Sequence, residues 1–211
     1  ATGMPYVRLK VASSLDGRTA MASGESKWIT GTEARQDVQH WRAISGAVIT
    51  GIETVLADDS QLNVRTLSNI NIDDIVQPKR IVLDRQGRLP LTAQMLQQPE
   101  TVMVMGPFRQ ELADLGVVHL PVQSLKDLLA TLIALQIYDV LVEAGATLST
   151  AFLQERLVDE MISYVAPTFL GQSARAMFNA EFECMAQQLR FKLIDVIQMG
   201  DDIRLRLIPS Q

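Results

Sequence analysis

Tyr138-Asp139-Val140-Leu141-Val142-Glu143-Ala144-Gly145-Ala146-Thr147-Leu148 is the stretch on which the fold class turns. Residues 139–143 are a short apolar run with no wet face, the pattern of a strand buried on both sides of a parallel sheet. A carboxylate, Glu143, ends the run, Gly145 supplies a turn, and a helix is expected from Leu148 to about Leu157. The same alternation of β-branched runs and helical patterns extends outward in both directions. Strands are expected at 6–12, 47–50, 80–83, 101–105, 117–120 and 161–166. The fold class is therefore α/β, a mostly parallel central sheet flanked by helices.

The carboxyl end of the chain departs from that pattern. Residues 189–199 and 203–208 are separated by Gly200-Asp201-Asp202 and read as an antiparallel hairpin. Ile203, Leu205 and Leu207 alternate with Arg204 and Arg206, so the leucine face is expected to be buried and the arginine face wet. Thr30-x-x-Glu33 forms a capping box for a helix expected to reach about Ser45, with Ala34, Val38 and Trp41 on its apolar stripe. Further helices are expected after Pro107 and from Ser124 through Leu135, the second apolar nearly all round and hence buried. The polar run between Arg65 and Pro78 reads as a long surface loop.

The chain has 211 residues, 47% of them hydrophobic and 20% charged, which excludes disordered and collagen-like classes. That length favours one compact unit. A net charge of −5 argues against nucleic acid or anionic lipid as a partner, so any anion site has to be built locally. No apolar run is long enough to span a bilayer, and no export signal is legible at the start, so a cytoplasmic location is expected. Cys184 is the single cysteine and reads as a small, partly buried residue in a reducing compartment. His40 and His119 read as structural, and no metal site is expected.

Several groups could carry chemistry. The turn at Gly145, before a helix whose first amides are free and at the positive end of its dipole, suits a pyrophosphate; the plain alternative is a capped strand-to-helix turn. Neither a G-x-G-x-x-G nor a P-loop motif occurs. Glu143 ends a parallel strand, where α/β sheets place ligands. Lys10 alternates with Leu9 and Val11, so it is either solvated or lines a cleft. Arg42 follows Val38 by four residues and shares its helical face, which a buried anion would explain. Arg65 could join it on a phosphate, or both could pair with Asp58 or Asp59. Arg85 and Arg88 follow a strand where an adenosine phosphate would need cations. Serines 13, 14, 23 and 26 lie in turn-rich stretches.

Taken together, Pro5-Tyr6-Val7-Arg8-Leu9-Lys10, Ser14-Leu15-Asp16-Gly17-Arg18, residues 23–30 (Ser-Gly-Glu-Ser-Lys-Trp-Ile-Thr), Thr54-Val55-Leu56-Ala57-Asp58-Asp59 and Val142-Glu143-Ala144-Gly145 carry a resemblance. The chain resembles the reductase domain of the bacterial bifunctional riboflavin-biosynthesis deaminase/reductase, over essentially its whole length. The resemblance implies a dihydrofolate-reductase-like fold and an oxidoreductase. It also implies NADPH-dependent reduction of 5-amino-6-(5-phosphoribosylamino)uracil to its ribitylamino counterpart, by hydride transfer to the ribose C1′. The zinc-deaminase signatures H-x-E and P-C-x-x-C are absent, so residues 1–5 are expected to be a linker remnant and 6–211 a single reductase domain, joined to a deaminase in the full-length protein. A homodimer is expected from an exposed apolar helix or sheet edge. The alternative is a related reductase of this fold acting on another small heterocycle.

The resemblance also assigns residues. It places the cofactor against Ala12, Trp28, Thr54, Asp58 and the turn Gly145, Ala146, Thr147, Leu148, Ser149, Thr150, Ala151, with Arg85 beside the adenosine end. It places the substrate against Lys10, Ser26, Arg42, Leu62, Arg65 and Glu143. Lys10, Asp58 and Glu143 would be the catalytic set: Lys10 holding or polarising the substrate, Glu143 at the pyrimidine amine, and Asp58 organising the nicotinamide and ribose.

Overall fold

In the computed structural model, residues 3–67 and 70–210 are described, and they divide into two compact units. One consists of Val38–Val142 with the residues up to Tyr6; the other of Val7–Asp37 and Glu143 onward.

The first unit is a parallel sheet. Its strands are β3 (Ala47–Gly51), β4 (Lys79–Leu83), β5 (Val102–Met105), β6 (Val118–Leu120) and β7 (Asp139–Glu143, whose last residue belongs to the second unit). They lie in the order β7-β3-β4-β5-β6, every neighbouring pair parallel. Val48, Ile49, Ile81, Val82, Val140, Leu141 and Val142 are wholly buried, as expected of parallel strands covered on both faces. Helices α2 (Ile52–Asp58), α3 (Gln110–Asp114) and α4 (Leu125–Ala134) connect the strands. Ser124 starts α4 with a reciprocal cap: its Oγ accepts from the Asp127 amide at 3.0 Å and donates to the Asp127 carboxylate at 2.7 Å. The helix is not buried all round. Leu125, Leu128, Leu129 and Leu132 form one buried stripe, whereas Ala130 and Ala134 face solvent and Leu135 lies beyond the last turn, exposed. Residues 66–78 contain one short 3₁₀ turn at Ile72–Asp74, and Ser68 and Asn69 of the expected loop lie outside the described residues.

The second unit is ordered β10-β11-β8-β1, from β1 (Tyr6–Ser14), β8 (Glu160–Ala166), β10 (Phe191–Met199) and β11 (Asp202–Pro209). β1 and β8 are parallel, while β11 runs antiparallel to both β8 and β10. A small ribbon, β2 (Arg18–Ala20) with β9 (Arg175–Ala176), and helix α5 (Ala146–Gln154) complete it. The mixed α/β architecture, mostly parallel with an antiparallel C-terminal hairpin, is the expected one.

Three local expectations are corrected. Helix α1 (Thr32–Ile44) begins two residues later than the Thr30 capping box, because its first free amide, that of Gly31, donates to the Asp202 carboxylate at 2.6 Å. Glu33 instead lies over Gly200, which turns the hairpin with a φ of 65° and has no room for a β-carbon beneath that carboxylate. The hairpin faces are also inverted. Arg204 is buried, donating to both oxygens of Asp37 (3.1 and 2.9 Å) and to Asp195 (2.8 Å), while Ile203 is 45% exposed. A buried arginine needs carboxylates, and here two supply them. Finally, Cys184 is exposed, at the start of a single 3₁₀ turn, Met185–Gln187, in an otherwise irregular stretch.

Asp16 ties the β1–β2 turn to the segment after β8. Its carboxylate accepts from the Ser14 hydroxyl at 2.5 Å and from the amides of Leu170 and Gly171 at 3.1 and 2.8 Å. The Ser14 hydroxyl, opposed by burial and helped by those amides, lowers its pKa from 3.8 to about 2. A carboxyl with a depressed folded pKa contributes stability that is complete above the unfolded value and is lost as pH falls from about 4 toward 2. Asp16→Asn should therefore flatten the dependence of stability on pH in that window relative to wild type. Urea unfolding at pH 5, 4, 3 and 2 measures it, and parallel curves would exclude this role.

Candidate active site

The expected site residues fall into two groups, one in each unit. In the second unit, period-two alternation puts Lys10 and Ala12 on one face of β1, both half-buried. Glu143, the last residue of β7, is 8% exposed, and its Oε2 lies 3.9 Å from the Lys10 ammonium. The two side chains are both largely screened from water. The Lys10 ammonium also lies 5.9 Å from the centroid of the Tyr164 ring.

Register extends this face across the sheet. Ala12 is opposite Tyr164, and Tyr164 is opposite Arg204. Tyr164 is fully buried, and its hydroxyl donates to Asp37 at 2.5 Å, the carboxylate that also receives Arg204. Tyr164, Asp37 and Arg204 were not expected at the site. A tyrosine in an otherwise apolar strand is a usable signal, since its hydroxyl must find a partner, but the sequence does not show which.

Gly145 is the N-cap of α5, with φ −71° and ψ 173°. The helix starts at Ala146, two residues earlier than expected, which brings its dipole end directly after the glycine. No side chain caps its first amides and no acidic residue occupies its first turn, so the partial positive charge there is not offset locally. This fits an anionic pyrophosphate. The side chains of Ser149 and Thr150 are turned inward: the Ser149 hydroxyl donates to the Ala144 carbonyl at 3.1 Å, and the Thr150 oxygen accepts from the Asn179 amide at 2.8 Å. Ala151 is half-buried further along the helix. Trp28 is 68% exposed, with the Arg35 guanidinium 4.4 Å from its ring centroid, and Ser26 is half-buried in the same irregular segment.

In the first unit, Thr54 and Asp58 are half-buried on α2, a helix that the sequence reading did not anticipate. Asp59, at φ 45°, ends that helix, and its carboxylate accepts from the amide and side chain of Gln94. Arg42 is 8% exposed in the last turn of α1, and its Nη1 donates to the Asn63 carbonyl at 3.1 Å. Leu62 is buried at φ 53°. Arg65 has an exposed side chain, and its amide donates to Gln39 Oε1 at 2.9 Å. Arg85 is exposed in the turn after β4. Arg88 forms an ion pair with Glu53.

Among the described residues, no cluster of His, Cys, Asp or Glu could hold a metal ion, and no helix is long and apolar enough to cross a membrane.

The family model described as the RibD C-terminal domain matches residues 5–205. The riboflavin biosynthesis proteins RibD of Haemophilus influenzae and Escherichia coli K12 are 40% and 41% identical to the chain. Each match covers 99% of this chain, and 59% and 61% of the respective relative. The chain thus spans about three fifths of the length of these curated relatives. A solved structure of Acinetobacter baumannii RibD is 80% identical with a TM-score of 0.97, covering 100% of this chain and 59% of that one. A Thermotoga maritima structure is 27% identical with a TM-score of 0.84, covering 98% of this chain and 57% of that one. It is named a diaminohydroxyphosphoribosylaminopyrimidine deaminase/5-amino-6-(5-phosphoribosylamino)uracil reductase. With its family model matched from residue 5 to residue 205 and its sheet reproduced in these relatives, the chain belongs to the RibD C-terminal domain family.

Proposed function

We propose that the chain performs the reductase step of riboflavin biosynthesis, the NADPH-dependent reduction of 5-amino-6-(5-phosphoribosylamino)uracil to 5-amino-6-(5-phosphoribitylamino)uracil. The observation that carries this reading is the screened Lys10–Glu143 pair, 3.9 Å apart, two residues before the uncapped start of α5. NADPH, when bound, supplies the hydride for the sugar C1′. The amides of residues 145–148 would hold its pyrophosphate, with Ala12, Trp28, Thr54 and Asp58 along the rest and Arg85 at the adenosine 2′-phosphate. Lys10 presents a positive charge and proton donors to the ring-opened sugar, and Glu143 orients the pyrimidine amine and can accept or return a proton there. Arg42 and Arg65 grip the ribose 5-phosphate, and Ser26 and Leu62 complete the substrate contacts. Together they hold the reacting carbon in place, the largest contribution a protein makes when a cofactor carries the chemistry.

The test is NADPH oxidation with three substrates: the phosphorylated ribosylaminouracil, its dephosphorylated form and dihydrofolate. Turnover should be confined to the first. Comparable turnover of dihydrofolate would favour instead a reductase of another heterocycle. Cofactor choice is tested separately: Arg85→Ala should lower the NADPH/NADH ratio of kcat/KM about tenfold, the worth of one exposed charge-assisted contact. Equal constants for the two cofactors in the wild type would remove that role.

We also propose a homodimer formed through the C-terminal hairpin, within a protein whose full length adds a deaminase. On the hairpin face opposite Arg204, Leu193 is 50%, Val196 52% and Ile203 45% exposed, and register pairs the first two with Leu207 and Leu205. Such an uncovered apolar sheet face suits a self-complementary two-fold contact. Val196→Asp should shift the sedimenting species from dimer to monomer with the fold retained; a wild-type monomer at high concentration would exclude the proposal.

A further inference from the structure

Residues 61–65 contain neither helix nor strand, yet their backbone is held from four directions within the first unit. Arg80, fully buried in β4, donates from Nη1 to the Gln61 carbonyl at 3.1 Å and from Nη2 to the Gln98 carbonyl at 2.6 Å. Arg42 holds the Asn63 carbonyl and the buried Gln39 holds the Arg65 amide, both from α1. Gln77 grips Val64 at both ends: its Oε1 accepts from the Val64 amide at 2.8 Å and its Nε2 donates to the Val64 carbonyl at 3.0 Å. Leu62 is thereby kept at φ 53°, a conformation a branched side chain rarely adopts unless its surroundings impose it.

Two buried polar atoms have no hydrogen-bond partner in the described structure, Asn63 Oδ1 within the segment and Ser60 Oγ just before it. Buried orphans beside a well-satisfied backbone are expected where a ligand completes the site. A segment ordered in advance does not subtract its own ordering entropy from ligand affinity.

We propose that Gln77 is a positioning residue for the substrate: by pinning Val64 through both groups of its amide, it fixes the backbone between Leu62 and Arg65 and so aims the Arg65 side chain at the substrate phosphate. This rests on the reading of Arg65 as a phosphate contact. Gln77→Glu keeps the shape of the side chain and the acceptor for the Val64 amide, but loses the donor and sets a carboxylate against the Val64 carbonyl.

The experiment compares wild type, Gln77→Glu, Arg65→Ala and the double variant, at saturating NADPH with the phosphorylated ribosylaminouracil, alongside melting temperatures. Gln77→Glu should raise KM about tenfold while kcat falls less than about threefold, and it should add less than about twofold to KM once Arg65 is already Ala. A KM within about twofold of wild type, or the same tenfold rise in the Arg65→Ala background, would overturn the proposal while leaving Arg65 as a contact. Arg65→Ala with unchanged KM would overturn the underlying reading and the proposal together. Should Gln77→Glu not fold, Gln77→Ala removes both bonds at this half-buried position without adding charge, and the same KM pattern is required of it.

Discussion

Glu143→Gln is expected to slow single-turnover hydride transfer by roughly 10²-fold or more, about 2.7 kcal/mol of barrier, while NADPH affinity stays near wild type. The substitution preserves size, so the buried end of β7 should stay packed, and it removes both the charge facing Lys10 at 3.9 Å and the group able to handle a proton. If Glu143 only neutralises Lys10, a different pattern follows. The lysine then loses a screened partner, the melting temperature falls, and transfer survives in the remaining folded protein. Measuring melting temperature, NADPH affinity and single-turnover transfer on one preparation separates these outcomes. Near-normal transfer in a destabilised protein would end the catalytic assignment.

Arg42→Ala should weaken binding of the phosphorylated substrate by about 2 kcal/mol or more, roughly 30-fold in Kd, with NADPH affinity nearly intact. The guanidinium is almost wholly buried and one of its nitrogens already holds the Asn63 carbonyl. Truncation can therefore act directly on the phosphate or by releasing the 61–65 segment. Calorimetry with the phosphorylated substrate in the wild-type and Arg65→Ala backgrounds distinguishes the two. A direct clamp predicts a similar loss in both backgrounds; a loss that disappears once Arg65 is Ala would mean that Arg42 serves the segment alone.

What could be read in advance follows the range of the forces involved. The β-branched runs locate the strands closely: 139–143 is observed as read, and the others shift by one or two residues at most ends. A buried parallel strand depends mainly on its own composition. The Thr30 capping box is locally sound but loses to Asp202, a carboxylate 171 residues away that the sequence does not set beside Gly31. The hairpin faces invert for the same reason, because Arg204 is made burial-competent by Asp37 on α1 and Asp195 on β10. Helix α2 escaped notice because its seven residues follow Gly51, an N-cap that offers no side-chain cap. Among the candidate site residues, the positions of Lys10, Glu143 and Gly145 were legible because each sits at a fixed place on a strand or turn. The support around Leu62 and Arg65 was not, since Gln77 and Arg80 act on backbone atoms through long side chains that carry no periodic signal.

The Asp202–Gly31 bond also bears on how the molecule is made. The first unit is nearly continuous in sequence, and most of its partners emerge from the ribosome together. The second is not: β1 pairs with β8, Asp37 waits for Arg204, and the Gly31 amide waits for Asp202. About 165 residues separate Asp37 from Asp202, so at ~5–20 residues per second the early segment stays unfinished for roughly 10–30 s of translation. Throughout that interval the apolar face of β1, Val7, Leu9 and Val11, has no β8 beside it, the state in which a nascent chain is most open to chaperones and to wrong partners. Within the second unit, synthesis thus delivers residues 7–37 well before the strands that complete them.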